Sequence, residues 1–242
     1  MRVLIVSDIH GNWPALQAVL RAEPKAKKII CLGDLVNYGP LPAECVNWAM
    51  QTTCPDNLFL QGNHDHAVGL DTDPRCSRPY RQLAKLMRTV TKRKLNREQK
   101  GFLAGLKPAA EFMLNEFCCY ACHATPLQPL YTYLSREAPD EEWERQVNAA
   151  DFPHFLFVGH THVPMLARIG RTTVVNPGSV GQPKDGDPRA AYALWRGGMV
   201  SLRRVAYDVQ ETVGAYRACR LPDYAKSQLT AVLRSGKGEL AR

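Results

Sequence analysis

The residues best equipped for chemistry are histidines and carboxylates in five short segments: Asp8-Ile9-His10, Gly33-Asp34, Gly62-Asn63-His64-Asp65, His123, and Gly159-His160-Thr161-His162. Of the 7 histidines, only His66 and His154 lie outside them. A convergence of Asp, Asn and imidazole side chains suits manganese, iron or zinc, whereas calcium prefers all-oxygen shells and copper(I) prefers sulfur. Alternate residues of an extended segment share a face, so Asp8 and His10 are expected to point the same way, as are His160 and His162. Any one segment alone reads equally well as a helix cap or a turn. The joint pattern is what points to a metal centre.

The elements that must position these residues follow from hydrophobic periodicity. Arg2 to Val6 and Lys28 to Leu32 are short apolar runs ending at Ser7-Asp8 and Gly33-Asp34, and Asn57 to Gln61 ends at Gly62. Between them, Leu16, Val19 and Leu20 recur at helical spacing behind an Asn12 cap and Pro14, and Pro42 to Thr52 reads as a second helix. A β-α-β-α-β opening implies parallel strands covered on both faces, with ligands just beyond the strand C-termini. Further strands are expected at Phe112–Leu114 and Phe117–Ala121 around an Asn115-Glu116 turn, then at Phe155–Val158, Met165–Ile169, Thr172–Val175, Ala190–Trp195 and Val200–Ala206. Asp140 to Ala149 reads as a helix, and the tail from Gln210 as helical with a frayed end at Ser235–Gly238. The simplest organisation is one α/β domain over 1–242 with a basic helical insertion at 71–107.

Composition narrows the classes. The chain has 242 residues, 45% of them hydrophobic, which supports a large core and excludes a disordered or fibrous chain. No apolar stretch approaches the roughly 18 residues of a membrane span, and the run Val3–Val6 is too short for a signal-peptide core, so a soluble cytoplasmic protein is expected. The 8 cysteines are read as reduced thiols, because a chain this long needs no disulfide staples. Cys119 and Cys122 form a C-x-x-C pair inside a predicted strand, where residues three apart face opposite ways, which argues against a redox or metal motif.

The series D-x-H, G-D, G-N-H-D, H and G-H-x-H, in this order, resembles the calcineurin-like metallophosphoesterase superfamily over most of the chain. The longer stretches Ser7–Asn12, Gly33–Pro40 and Asn176–Pro183 are most similar to its small bacterial and archaeal phosphodiesterases, the diadenosine-tetraphosphatase-like group. The resemblance implies a four-layer α-β-β-α sandwich with mixed sheets and two metal ions, manganese foremost, with iron, zinc, nickel or cobalt as alternatives. Asp8, His10, Asp34 and His162 would hold the first ion, and Asp34, Asn63, His123 and His160 the second, with Asp34 bridging. Such a pair clamps a phosphoryl group and acidifies a bridging water to hydroxide. His64 would be the catalytic acid, bonding the phosphate and protonating the leaving alkoxide.

Departures from the pattern bear on substrate. Protein phosphatases of this superfamily carry Asp and Arg where this chain has Asn37 and Tyr38. An amide cannot support an imidazolium as a carboxylate does, and Tyr has no bidentate fork for phosphate, which argues against a phosphoprotein phosphatase. Asn37 and Tyr38 could instead line a nucleobase or ester pocket, or Tyr38 could simply pack. After His123 the chain reads Ala124-Thr125-Pro126 where relatives commonly have Gly-Ser-Pro, with the ligand itself retained. The expected partner is a small phosphoester, nucleotide or dinucleoside polyphosphate. A nuclease, motivated by the basic insertion, and a non-catalytic scaffold are the alternatives, although a scaffold has no need of an unbroken ligand set.

The net charge of +8 has a local origin. Between Arg75 and Lys100 there are ten basic residues and one acid, so this segment carries +9 and the remainder of the chain −1. Because it directly follows Gly62–Asp65, the segment is placed beside the metal site, where Arg78 and Arg81 are candidate substrate contacts. Neutralising Arg78, Arg81, Lys85 and Arg88 together is expected to raise KM for a polyphosphate ester more than for a small aryl ester. Equal changes in both, measured by steady-state kinetics, would reduce the charge to a solvation role.

Overall fold

In the computed structural model, which describes residues 1–238, the chain opens as the periodicity predicts. It runs through β1 (Arg2–Val6), α1 (Trp13–Ala22), β2 (Lys28–Cys31), α2 (Pro42–Thr52) and a short β3 (Leu58–Phe59). α3 (Asn63–Gly69), α4 (Arg81–Lys94) and α5 (Arg97–Gly105) follow, then β4 (Ala109–Leu114), β5 (Phe117–Cys122), α6 (Asp140–Ala149) and β6 (Phe155–Phe157). The chain continues through β7 (Met165–Ile169), β8 (Thr172–Asn176), β9 (Ala190–Arg196), β10 (Met199–Val205), α7 (Val209–Ala215) and α8 (Asp223–Ser235). Among the described residues no helix is long and apolar enough to cross a membrane.

The strands form two five-stranded mixed sheets, ordered β10-β9-β1-β2-β3 and β4-β5-β6-β8-β7. In the first, β1, β2 and β3 are parallel and β9 returns antiparallel to β1. In the second, β5, β6 and β8 are parallel, with antiparallel neighbours at both edges.

Alternation along the strands builds the layers. On β1, Leu4 and Val6 pack with Leu16 and Val19 of α1 and Val46 of α2, while Val3 and Ile5 face the other sheet with Phe155, Phe157 and Trp195. On the far side, Leu156 and Val174 pack with Trp143 and Val147 of α6. The result is the four-layer α-β-β-α sandwich. Cys119 belongs to the inter-sheet core and Cys122 to the α6 core, as expected of residues three apart on a strand, and all eight cysteines are free. A further cluster joins Leu83, Ala84 and Met87 of α4 to Ala225, Leu229 and Leu233 of α8, with Tyr38 at its edge.

One alternative is resolved and one expectation fails. The Gly62–Asp65 segment is the start of a helix: it opens α3, with Gly62 at the N-cap and the Asp65 carboxylate accepting from the Gly62 N–H at 3.1 Å. The Ser235–Gly238 stretch, expected to fray, is instead held in place. Gly236 closes α8 in the left-handed conformation (φ 63°), its carbonyl accepts from Gly186 N–H at 2.7 Å, and Lys237 bridges to Asp185. Gly is what permits that cap, a signal present in the sequence.

Asn12 ties the first helix to the loop after β8. Its carbonyl oxygen accepts from Ala15 N–H (3.3 Å) and the Thr212 hydroxyl (2.8 Å), and its amide donates to Gly181 O (3.0 Å) and to the Tyr207 hydroxyl (3.0 Å). Asn12→Ala removes a cap and strands these buried partners, and is expected to cost about 2–4 kcal/mol. Urea unfolding with an unchanged m-value checks it; a loss below about 0.5 kcal/mol would mean the partners find other donors and acceptors.

Candidate metal centre

The five motif segments meet where the C-terminal ends of the two sheets come together. Two compact groups of ligand atoms result, Asp8 with His10 and His162, and Asp34 with His123 and His160, all buried. Asp34 reaches both: its Oδ2 lies 3.7 Å from His10 Nε2 and 3.3 Å from His123 Nε2.

The predicted pairs do converge, but not through an extended backbone. Asp8, His10, Asp34, His160 and His162 all lie in the left-handed region, with φ between 48° and 66°, and Asn37 (φ 74°) and Tyr38 (φ 55°) join them. Non-glycine residues adopt this conformation only when their surroundings hold them there. The loop after β8 does much of the holding. The Asp8 carbonyl accepts from the Ser179 hydroxyl (2.7 Å) and Gly181 N–H (3.0 Å), and Asn176 donates to the Gly159 carbonyl at 2.7 Å. Glycine is obligatory at Gly181, where any side chain would collide with the Ile9 carbonyl.

Each carboxylate divides its work. Asp34 Oδ1 accepts from His64 N–H (2.9 Å) and Asp8 Oδ2 from His160 N–H (3.1 Å), so each locks a neighbouring motif with one oxygen and points the other inward.

The imidazoles are set by backbone carbonyls. Nδ1 of His10, His123 and His162 faces the carbonyls of Val36 (3.0 Å), Leu32 (2.9 Å) and Gln182 (2.6 Å). A carbonyl only accepts, so Nδ1 carries a proton in each ring and Nε2 is the atom turned inward, where a metal can replace whatever proton it holds. His10 Nε2 and His162 Nε2 then oppose each other at 3.1 Å. His123 Nε2 faces Asn63 Oδ1 and His160 Nδ1, each at 3.1 Å, and the Asn63 amide is oriented by donating to Pro74 O at 2.6 Å. Asp8 Oδ1 and His160 Nε2 are buried without a partner. So many acceptors turned toward one another need cations between them. The residues present therefore fit metal ions.

The ionisation of the cluster reflects the same demand. Burial pushes Asp8 up to about 6 against the pull of His123. Burial lowers His10 to about 3 and His64 to about 4, so both are neutral near pH 7. His123 behaves oppositely: burial disfavours its charge, but the charge and hydrogen bond of Asp34 prevail and raise it to about 9.

The other predicted site residues occupy different positions. His64 Nδ1 lies 2.6 Å from Asn37 Nδ2, which also reaches the Ala84 carbonyl on α4 at 3.4 Å. Tyr38 is buried, its ring edge-on to His10 (5.0 Å) and His64 (4.9 Å), so it packs and lines the site at once. Arg81 is exposed at the start of α4 and Arg78 is exposed in the 3-10 turn Arg78–Tyr80 just before it. Lys92 pairs with Asp71 at 2.6 Å and Lys94 donates to Pro40 O at 2.7 Å, so the basic charge of α4 is in part bound within the fold.

Sequence reasoning missed Asp65, whose carboxylate also receives Val36 N–H at 3.3 Å, and Tyr133, stacked on His160 with ring centroids 3.8 Å apart. The capping geometry of Gly62–Asp65 could have revealed the first. Tyr133 carries no local signal.

A doubly layered α/β fold with buried Asp, Asn and His ligands at a shared strand edge defines a metal-dependent hydrolase scaffold. The calcineurin-like phosphoesterase superfamily domain matches residues 1–196, and the chain belongs to that superfamily. Among curated relatives, it is 31% identical to the uncharacterised protein MJ0912 of Methanocaldococcus jannaschii, over 94% of this chain and 96% of that one. It is 24% identical to the phosphodiesterase YfcE of Escherichia coli, over 84% and 91%. A solved metallophosphoesterase from Sphaerobacter thermophilus superposes with a TM-score of 0.81 at 30% identity, covering 98% of this chain and 99% of that one.

Because a metal displaces the His123 proton, manganese affinity at the Asp34–His123–His160 group is expected to rise about tenfold per pH unit from 6 toward 9, with release of about one proton. Calorimetric titration in two buffers of different ionisation enthalpy checks this. An affinity flat over that range would contradict it.

Proposed function

We propose that the protein is a dinuclear-metal phosphodiesterase acting on small phosphodiesters or nucleotide-type esters, with Asp8, His10, Asp34 and His162 on one ion and Asp34, Asn63, His123 and His160 on the other. The observation that carries this reading is the opposed Nε2 and carboxylate lone pairs, with Asp34 in reach of both groups. The name of the YfcE relative supports the phosphodiesterase assignment. When bound, two such ions polarise phosphoryl oxygens and acidify a water for attack at phosphorus. Manganese fits the mixed oxygen and nitrogen donors. A reducing cytoplasm suits eight free thiols.

The chain's own residues account for substrate handling. The Ala84 carbonyl can only accept, which orients the Asn37 amide with its nitrogen toward both Ala84 O and His64 Nδ1. His64 Nδ1 is then an acceptor, and the ring proton resides on Nε2. A neutral ring of this tautomer offers a hydrogen bond to a phosphoryl or leaving-group oxygen without having to be an imidazolium, consistent with its lowered pKa. Asn37 thereby does for a neutral His64 what a carboxylate does for a charged one.

The test is hydrolysis of bis-p-nitrophenyl phosphate with manganese, beside mono-aryl phosphate, diadenosine tetraphosphate, DNA and a phosphopeptide. Diester turnover is expected, with His64→Ala lowering kcat by roughly 10²–10⁴ at unchanged metal content. No turnover with manganese, iron, zinc, cobalt or nickel would overturn the assignment. Cleavage confined to DNA or to the phosphopeptide would replace it.

A further inference from the structure

Resting on the reading of this site as one for phosphoesters, we propose that Lys184 forms a phosphate subsite, its ammonium donating to a nonbridging oxygen of the bound phosphoryl group. Lys184 follows β8 on the loop that holds Asp8 and His162, and its backbone N–H reaches the His162 carbonyl at 3.4 Å. Its ammonium lies over the Tyr80 ring, Tyr80 adjoins Tyr38, and Tyr38 in turn stands edge-on to His10 and His64, so the lysine caps the aromatic wall of the site. Lys92 and Lys94, by contrast, are committed to Asp71 and Pro40. Among the described residues Lys184 forms no ion pair, so its donors remain free for an anion.

The ammonium is also positioned, which distinguishes a subsite from a flexible surface lysine. Nζ sits 4.4 Å from the centroid of the Tyr80 ring, a cation–π contact, and Tyr80 adjoins Tyr38 at 6.1 Å. The Tyr80 hydroxyl donates to the Gly238 carbonyl, and Gly238 packs so closely on the lysine stem that a Cβ there would meet Lys184 Cβ at 3.3 Å. The neighbouring Asp185 is held twice, by its bridge to Lys237 and by an ion pair with Arg204. The end of the described chain therefore braces both the lysine and the ring beneath it. Tyr80 and this segment are positioning elements; Lys184 is the group that meets the ligand. A phosphate held by Asp8, Asp34 and the histidines through metal ions would have this ammonium available as a further donor from the Tyr80 side.

The experiment compares manganese-loaded wild type with Lys184→Met, Lys184→Arg and Tyr80→Leu, using inorganic phosphate as probe in calorimetry and bis-p-nitrophenyl phosphate in kinetics. Lys184→Met is expected to weaken phosphate binding on the order of tenfold or more, as befits loss of a charge-assisted hydrogen bond. It is expected to raise KM for the diester more than it lowers kcat, with Lys184→Arg restoring most of both and Tyr80→Leu intermediate. Manganese content and Tm should stay at wild-type values. Unchanged phosphate affinity in Lys184→Met would overturn the proposal, as would a loss of bound manganese equal to the loss of phosphate, which would make Lys184 a counter-charge to Asp8 and Asp34 only. Phosphate binding needs no turnover: lysine-dependent binding by a protein that hydrolyses no ester would uphold the subsite and defeat the phosphodiesterase reading.

Discussion

The structure turns on a set of acceptors aimed at one another. Backbone carbonyls of Val36, Leu32 and Gln182 take the Nδ1 protons of His10, His123 and His162, and this forces the Nε2 lone pairs inward toward the carboxylates of Asp8 and Asp34. Buried lone pairs at about 3 Å repel unless a positive charge lies between them, and in a low-dielectric interior that repulsion is strong. The same attraction for positive charge is what raises the pKa of His123 to about 9, where the Asp34 carboxylate outweighs burial. Metal binding and the stability of this region are one problem, because the same atoms that attract an ion destabilise the site without it.

Holding such a cluster requires rigidity, and the four-layer sandwich supplies it. Both sheets end at the same edge, so five loops from two sheets reach one small volume. Left-handed backbone at Asp8, His10, Asp34, His160 and His162 compresses the loops enough for side chains from different strands to meet. The bonds from Ser179, Gly181 and Asn176 keep those conformations from relaxing. Strain is concentrated at the functional edge and offset by the packed layers behind it.

The surroundings of the cluster are built differently from the cluster itself. The candidate metal ligands follow strand ends, but Asn37, Tyr80 and Lys184 are placed by α4, α8 and the segment ending at Gly238. The α4–α8 cluster touches Tyr38 and, through Ala84, the amide that sets the tautomer of His64.

By itself the sequence determined which residues are candidate ligands and most of the elements. Asp, Asn and His are chemically distinctive, they stand at the ends of apolar runs, and the unbroken apolar runs Val3–Val6 and Phe155–Phe157 report strands with both faces buried. It also held the Gly236 stop that the frayed-tail expectation overlooked. Only the tertiary structure decided how Asp8 and His10 come together, since the left-handed backbone there is imposed by Gly181 and Ser179 more than 160 residues away. It alone decided the tautomers, which depend on carbonyls of other loops, and the place of Lys184, whose role arises from Tyr80 and Gly238. Residue type and local period are written along the chain, whereas orientation at a shared edge arises from contacts between segments that have no local signature.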